Sequence, residues 1–264
     1  MATGMEEPRE RPLLDVADLS VRFGGIVALD GLSFRVRRGE IAGIIGPNGA
    51  GKTTLFNCLS RLYRADRGRI EFDGHPLMQA RAHQVAALGV GRMFQNVALF
   101  GSLTVFENIL LGRHCHGRGG FLANALRMPR VRRDEAQSRE RGRELLRFLD
   151  LEAVGEERVS ALPFGTRKRV ELGRALAAEP KLLLLDEPAS GLNHAELGAL
   201  GSLIRAIRDR IGVTVLLVEH HMSLLMSVSD HVVALDFGRK IADGTPDEVR
   251  DHPEVVRAYL GVAA

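Results

Sequence analysis

Cysteine is scarce in this sequence, neither sign of charge dominates, and no apolar run approaches the length needed to cross a bilayer. The two cysteines, Cys58 and Cys115, fall in a helical pattern and in a Gly/Arg/His-rich segment. That placement argues against a disulfide framework and fits a reducing compartment. The 36 Lys and Arg against 33 Asp and Glu leave a net charge of +3, so charge gives no argument for a nucleic-acid partner. Residues 1–12 are charged, contain proline and lack the apolar centre of a signal peptide, and they read as a flexible tail. The longest apolar runs, such as Val213 to Val218, are strand-sized. These absences predict a cytosolic chain that reaches a membrane only by docking on a partner.

What is present points to an α/β fold. Leu13 to Val36 is strand-like and interrupted by Gly24, Gly25 and Gly31, which predicts antiparallel ribbons. Glu40 to Ile45 predicts an apolar strand, followed by a Gly-rich turn and a helix from about Gly51 to Leu62. Arg69 to Phe72 is a short strand closed by Asp73-Gly74, a hairpin turn signal. Thr104 with Glu107 and Thr245 with Glu248 are capping boxes, the second with proline at the first helical position. Residues 112–134 read as an irregular insertion, 135–150 as an amphipathic helix, and Phe164 to Ala178 as a helix ended by Pro180. Further on, apolar strands at Lys181 to Leu185, Val213 to Val218 and His231 to Leu235 alternate with a helix over Ala195 to Arg210. Such alternation indicates a buried parallel sheet. The expected organisation is one α/β domain over residues 13–264. Its core comprises residues 13–95 and 176–264, and a helical module occupies residues 96–175.

Gly46-Pro47-Asn48-Gly49-Ala50-Gly51-Lys52-Thr53 fits the phosphate-loop pattern in full, with a strand before it and a helix after it. Glycines let the backbone turn sharply and aim its N–H groups at an anion. The helix N-terminus adds its positive dipole end. Lys52 can bridge phosphate oxygens and the Thr53 hydroxyl can hold Mg²⁺, with Thr54 beside it in the cradle. After the Lys181 to Leu185 strand, Asp186 is placed to hold Mg²⁺ and Glu187 to polarise an attacking water. Either carboxylate is alternatively a helix N-cap, because both lie at a strand-to-helix turn. The base-reading motif of a GTPase is missing.

These motifs, in their order and spacing, resemble the ATP-binding-cassette (ABC) family of transporter ATPases, and the resemblance covers nearly all of residues 13–264. It implies a P-loop NTPase core with an antiparallel β subdomain and an inserted α-helical subdomain. It also implies ATP and Mg²⁺ as ligands. Arg92-Met93-Phe94-Gln95 resembles the family's glutamine loop, so Gln95 would reach Mg²⁺ and the lytic water. Glu219-His220 resembles the switch-histidine loop, so His220 would sense the γ-phosphate. Phe23 stands where the family stacks an aromatic ring on adenine, with core packing as the alternative.

Two segments depart from the family pattern. Leu162-Pro163-Phe164-Gly165-Thr166 stands in place of Leu-Ser-Gly-Gly-Gln, keeping Gly165 for a close approach to a phosphate but losing the serine hydroxyl. Ala189-Ser190-Gly191-Leu192-Asn193 ends in Asn where the family usually has Asp. These forms, together with Arg257-Ala258-Tyr259-Leu260-Gly261, resemble the ATPases of branched-chain amino acid uptake and their relatives for urea, amides and polar amino acids. The resemblance implies membrane permease subunits and a second cassette as partners, indirectly a solute-binding protein, and a place on the cytoplasmic face of the membrane. It leaves two alternatives: an ABC ATPase for another cargo, and a weakly catalytic regulatory subunit. His114-Cys115-His116 lacks a fourth metal ligand and reads as a docking or solvent-exposed loop.

Overall fold

In a computed structural model of the protein, residues 11–94, 98–116 and 129–260 are described. Near the N-terminus, alternating burial makes half-buried strands. β1 (Leu14–Phe23) and β2 (Ile26–Val36) pair antiparallel around a Gly24-Gly25 turn, and β4 (Arg67–Phe72) joins the free edge of β1. Gly31 does not break β2 as the sequence suggests. Its positive φ of 67° lies within the strand, beside register shifts in the β1–β2 pairing, where it relieves an irregularity. Asp73 and Gly74 turn β4 into β5 (His75–Pro76), both with positive φ, as the hairpin signal predicts. The order of this sheet is β2-β1-β4-β5.

The continuous apolar runs form the other sheet. β3 (Ile41–Ile45), β7 (Leu182–Asp186) and β8 (Thr214–Val218) are buried at every position, because both faces are covered. With β6 (Val90–Met93), β9 (His231–Asp236) and β10 (Arg239–Gly244) they follow the order β10-β9-β3-β8-β7-β6. Every neighbouring pair in it is parallel except β9–β10. One apolar cluster lies between this sheet and the antiparallel one and includes Phe56 and Phe72. Another lies on the opposite face and runs on into the helices.

α1 (Lys52–Leu59) follows β3 directly, and α2 (Val85–Leu88) precedes β6. α3 (Val105–Leu111) begins at the Thr104–Glu107 capping box, both reciprocal bonds being formed at 3.1 and 2.8 Å. α4 (Pro129–Phe148) starts earlier than the sequence suggests, so residues 129–134 are helical rather than irregular. Pro129 suits the first position of a helix, and Arg130, Arg132 and Arg133 are helix formers; the Gly-rich character of the segment comes from residues 117–120. α5 (Phe164–Ala177) packs with α3 and α4 around Ile109, Leu149 and Val170. α6 (His194–Ala206) runs into a π-helical turn at Ile207–Ile211 and stops at Gly212, which has a φ of 79°. α7 (Met222–Val228), α8 (Pro246–Arg250) and α9 (Pro253–Leu260) complete the described chain, α8 capped by Thr245 and Glu248. None of the described helices is long and apolar enough to cross a membrane.

Candidate functional site

The strand-to-helix junctions at the C-terminal ends of β3, β7 and β8 form a cluster, because these strands are neighbours in one parallel sheet. After β3, Gly46, Gly49 and Gly51 adopt φ of 152°, 84° and 100°, so this loop needs glycine at three of its positions. A Cβ on Gly51 would lie 2.5 Å from the Ala28 carbonyl oxygen, and one on Gly46 would lie 2.3 Å from that of Leu235. Lys52 is buried, and its ammonium donates to the carbonyls of Gly46 and Pro47 at 2.5 and 2.9 Å. Burial pushes its pKa down, while Glu187 and Asp186 act in the opposite direction. Thr53 is exposed at the first turn of α1 and Thr54 is partly buried beside it.

Asp186 is the last residue of β7 and is 3% exposed. Its Oδ2 accepts from Arg92 Nη2 at 2.9 Å. Burial pushes the carboxyl above the usual carboxylate range, and the guanidinium opposes the shift. Arg92 also donates to Asn57 Oδ1 and Ser60 Oγ at 2.9 and 3.0 Å, with the rings of Phe94 and Phe56 4.8 and 5.7 Å from its guanidinium carbon. This hub joins α1, the end of β7 and the approach to Gln95, and the sequence reading missed it. Gln95 itself lies outside the described residues.

Glu187 follows with φ of +49°, a left-handed conformation that is uncommon for a residue with a side chain. Its N–H still bonds the Val218 carbonyl at 2.9 Å, and its Oε1 lies 2.6 Å from His220 Nε2. The N-cap alternative for the two carboxylates does not hold. Asp186 is within the strand, and the helix after the turn is capped instead by Asn193, whose Oδ1 accepts from Glu196 N at 3.0 Å.

The position of His220 is set by Glu219, a 2% exposed carboxylate whose hydrogen bonds the motif alone does not reveal. Its Oε2 accepts from the N–H groups of His220 and His221, and its Oε1 from that of Ala189 at 2.6 Å. One side chain thus joins the turn after β7 to the turn after β8.

Phe23 sits at the end of β1, 46% exposed, edge-on to Tyr63 with ring centroids 5.1 Å apart. Such exposure excludes the core-packing alternative. Gly165 lies in the first turn of α5. A Cβ there would lie 2.7 Å from Glu196 Oε1, and its other nearest neighbour is Leu192. Its closest contacts are therefore in α6 and the turn before it. The ring of Phe164 packs on Gly191, so the two segments that depart from the family pattern touch each other. Further along α5, the buried Glu171 accepts from Phe94 N at 3.3 Å and Arg174 donates to the Ala98 carbonyl at 2.5 Å. Both flanks of the Gln95 segment are therefore tied to α5.

A glycine-turned loop leading into a helix, a buried lysine and a buried carboxylate within electrostatic reach of each other, and a Glu–His pair at adjacent strand ends fit a nucleotide-hydrolysing P-loop protein. The sequence profile of the ABC transporter family matches residues 29–190, and that of the branched-chain amino acid ATP-binding cassette transporter matches residues 239–264. The chain is 43% identical over 253 residues to the high-affinity branched-chain amino acid transport ATP-binding protein BraF of Pseudomonas aeruginosa, covering 96% of this chain and 99% of that one. It is 40% identical, with the same coverage, to the corresponding protein LivG of Salmonella typhimurium. Among solved structures, the ADP conformation of an ATP-binding cassette of an ABC transporter superposes with a TM-score of 0.82 at 30% identity, covering 95% of this chain and 99% of the other. The chain belongs to the ATP-binding-cassette family of transporter ATPases. It is an ATP-hydrolysing subunit, as the resemblance in its motifs implied.

Proposed function

We propose that this chain drives uptake of branched-chain amino acids through a separate membrane permease, acting from the cytoplasmic face. The cargo rests on the names of its relatives, the motor on the site. ATP would seat its phosphates on the backbone N–H groups from Asn48 to Thr54, in the loop that Gly46 and Pro47 open. Lys52 would exchange the loop carbonyls for phosphate oxygens, and adenine would stack on the exposed ring of Phe23. The Thr53 hydroxyl and Asp186 carboxylate are hard oxygen donors that suit Mg²⁺, with the Gln95 amide as a third. Bound there, Mg²⁺ would neutralise charge developing on the phosphates.

Glu187 would take a proton from the attacking water while His220 holds the carboxylate in place and reaches the γ-phosphate. The observation that carries this reading is the 2.6 Å contact between Glu187 Oε1 and His220 Nε2, next to Asp186 and within electrostatic reach of the buried Lys52. Gly165, turned toward α6 in its own chain, would meet the phosphates of a second cassette, so two subunits would close over two nucleotides. That second cassette is proposed to be a distinct chain.

The division into a core of residues 13–95 and 176–264 and a helical module of 96–175 is part of the same proposal. The ties from α5 to the flanks of Gln95 would carry closure to the permease, and indirectly to a solute-binding protein outside. The test is uptake of labelled leucine, valine, urea and a polar amino acid in cells carrying the native protein or Glu187→Gln. Parallel loss of leucine and valine uptake is expected. Loss of another solute alone would overturn the cargo, and uptake unchanged throughout would overturn the role of Glu187.

A further inference from the structure

The first glycine of the phosphate loop obtains its hydrogen-bond partner from the far end of the chain. The ladders of β3 run only as far as Ile44 with Val218 and Ile45 with Ala234. Gly46 is therefore the first residue past the paired part of β3. Its N–H donates to the phenol oxygen of Tyr259, 2.7 Å away and 213 residues later in α9. The carbonyl oxygen of Gly46 in turn accepts from Lys52 Nζ at 2.5 Å. Gly46 is thus held at both its N–H and its C=O, and the Leu235 carbonyl blocks the side on which a Cβ would lie.

α9 is anchored independently of this bond. Val255 is 3% exposed and belongs to the same apolar cluster as Val249 and Ala242. Next to Ala258, helix and loop do not close on each other: a cleft of about 410 Å³ is lined by Pro47 to Ala50, by Glu254 and Arg257, and by Asp236, Phe237 and Ile241. A long side chain with a terminal oxygen is what this arrangement requires. Phenylalanine would fill the same space and leave the Gly46 N–H without its acceptor. Burial pushes the Tyr259 hydroxyl above the ordinary tyrosine range, so the phenol stays neutral at working pH.

We infer that Tyr259 is a positioning residue of the phosphate loop: its phenol oxygen fixes the Gly46 peptide, where the loop begins and whose carbonyl holds Lys52 until nucleotide binds. The inference rests on the reading of Gly46 to Thr53 as the phosphate site. It gives α9, a segment with no part in the hydrolytic reading above, a share in nucleotide binding.

The experiment compares Tyr259→Phe, Val255→Ala and Lys52→Ala in the full chain and in the assembled transporter. Nucleotide affinity is measured with a fluorescent ATP analogue, turnover with ATP, and exchange of the Gly46 amide by hydrogen–deuterium exchange. Tyr259→Phe is expected to weaken nucleotide binding and raise KM by about tenfold with kcat nearly unchanged, and to speed exchange at Gly46. Val255→Ala loosens the same helix but keeps the phenol, so it should lower Tm while moving KM less. If Tyr259→Phe binds nucleotide like the native protein while Lys52→Ala does not, the role of Tyr259 is overturned and the phosphate-loop reading stands. If Lys52→Ala also binds normally, the phosphate-loop reading itself fails. If Tyr259→Phe and Val255→Ala lose Tm, kcat and KM in parallel, Tyr259 is merely structural and the inference is overturned.

Discussion

Arg92 Nη2 donates to Asp186 Oδ2 at 2.9 Å with both side chains less than a tenth exposed. Each needs the other: an isolated buried carboxylate or guanidinium is costly, and removing one partner of such a pair typically costs roughly 3–5 kcal/mol. Arg92→Met is therefore expected to lower the stability of the nucleotide-free protein by about that amount in urea unfolding. The double variant Arg92→Met/Asp186→Asn should regain part of the loss, because no unpaired charge remains. Arg92→Lys should not substitute, since an ammonium cannot serve Asn57, Ser60 and Asp186 from one planar fork. An unfolding midpoint unchanged in Arg92→Met would sink the argument.

Gly112 is a second place where one atom decides the packing. A Cβ there would lie 2.0 Å from the Arg174 carbonyl oxygen on α5. Gly112→Ala must therefore push α3 and α5 apart, at a cost of about 1–3 kcal/mol, which corresponds to several degrees in Tm. Gly101→Ala, whose nearest neighbour would be 3.5 Å away, serves as the control and should be close to neutral. Equal melting of the two variants would show that the helices yield freely.

The features legible in the sequence were those whose partners are close along the chain. The phosphate loop, the Asp186-Glu187 pair and both capping boxes each lie within a few residues. Uninterrupted apolar runs correctly announced the buried parallel strands. The groups that set these elements against one another were not legible. Arg92 reaches Asp186 across 94 residues, Glu219 reaches Ala189 across 30, and Tyr259 reaches Gly46 across 213. No periodicity encodes such separations; they arise only once parallel strand order brings distant loops to one end of the sheet. The start of α4 was misplaced for the opposite reason, since a glycine-rich neighbourhood masked local helix formers.

Asn193 stands where the family usually has Asp, and the structure gives it a local task. It caps α6, accepting from Glu196 N and donating its own N–H to Glu196 Oε2. Asn193→Ala should cost about 1 kcal/mol, whereas Asn193→Asp should be nearly neutral, because either side chain caps well. Thermal unfolding of the isolated chain checks both. A large loss in Asn193→Asp would mean that the amide, not the cap, is what the fold requires.

His231 of β9 and Asp243 of the edge strand β10 meet with Nε2 and Oδ1 2.5 Å apart and Lys240 on the other carboxylate oxygen. The contact with Asp243 raises the His231 pKa, against the effect of burial, with Glu40 adding to the rise and Arg37 opposing it. Asp243 is held down to about 2 by the same imidazole and by Lys240. The raised histidine contributes stability that is complete below its unfolded value of about 6.5 and is lost as pH rises through the folded value. The depressed aspartate contributes stability that is complete above about 3.9 and is lost as pH falls toward the folded value. Both contributions overlap between about pH 4 and 6.5. Asp243→Asn should therefore destabilise the protein most near pH 5.5, by about 1 kcal/mol for a partly exposed pair. The difference from the native protein should shrink at pH 9, where only the Lys240 contact remains to be lost. Urea midpoints of both proteins at the two pH values test this, and a gap that is equal or wider at pH 9 would mean that the imidazolium does not contribute.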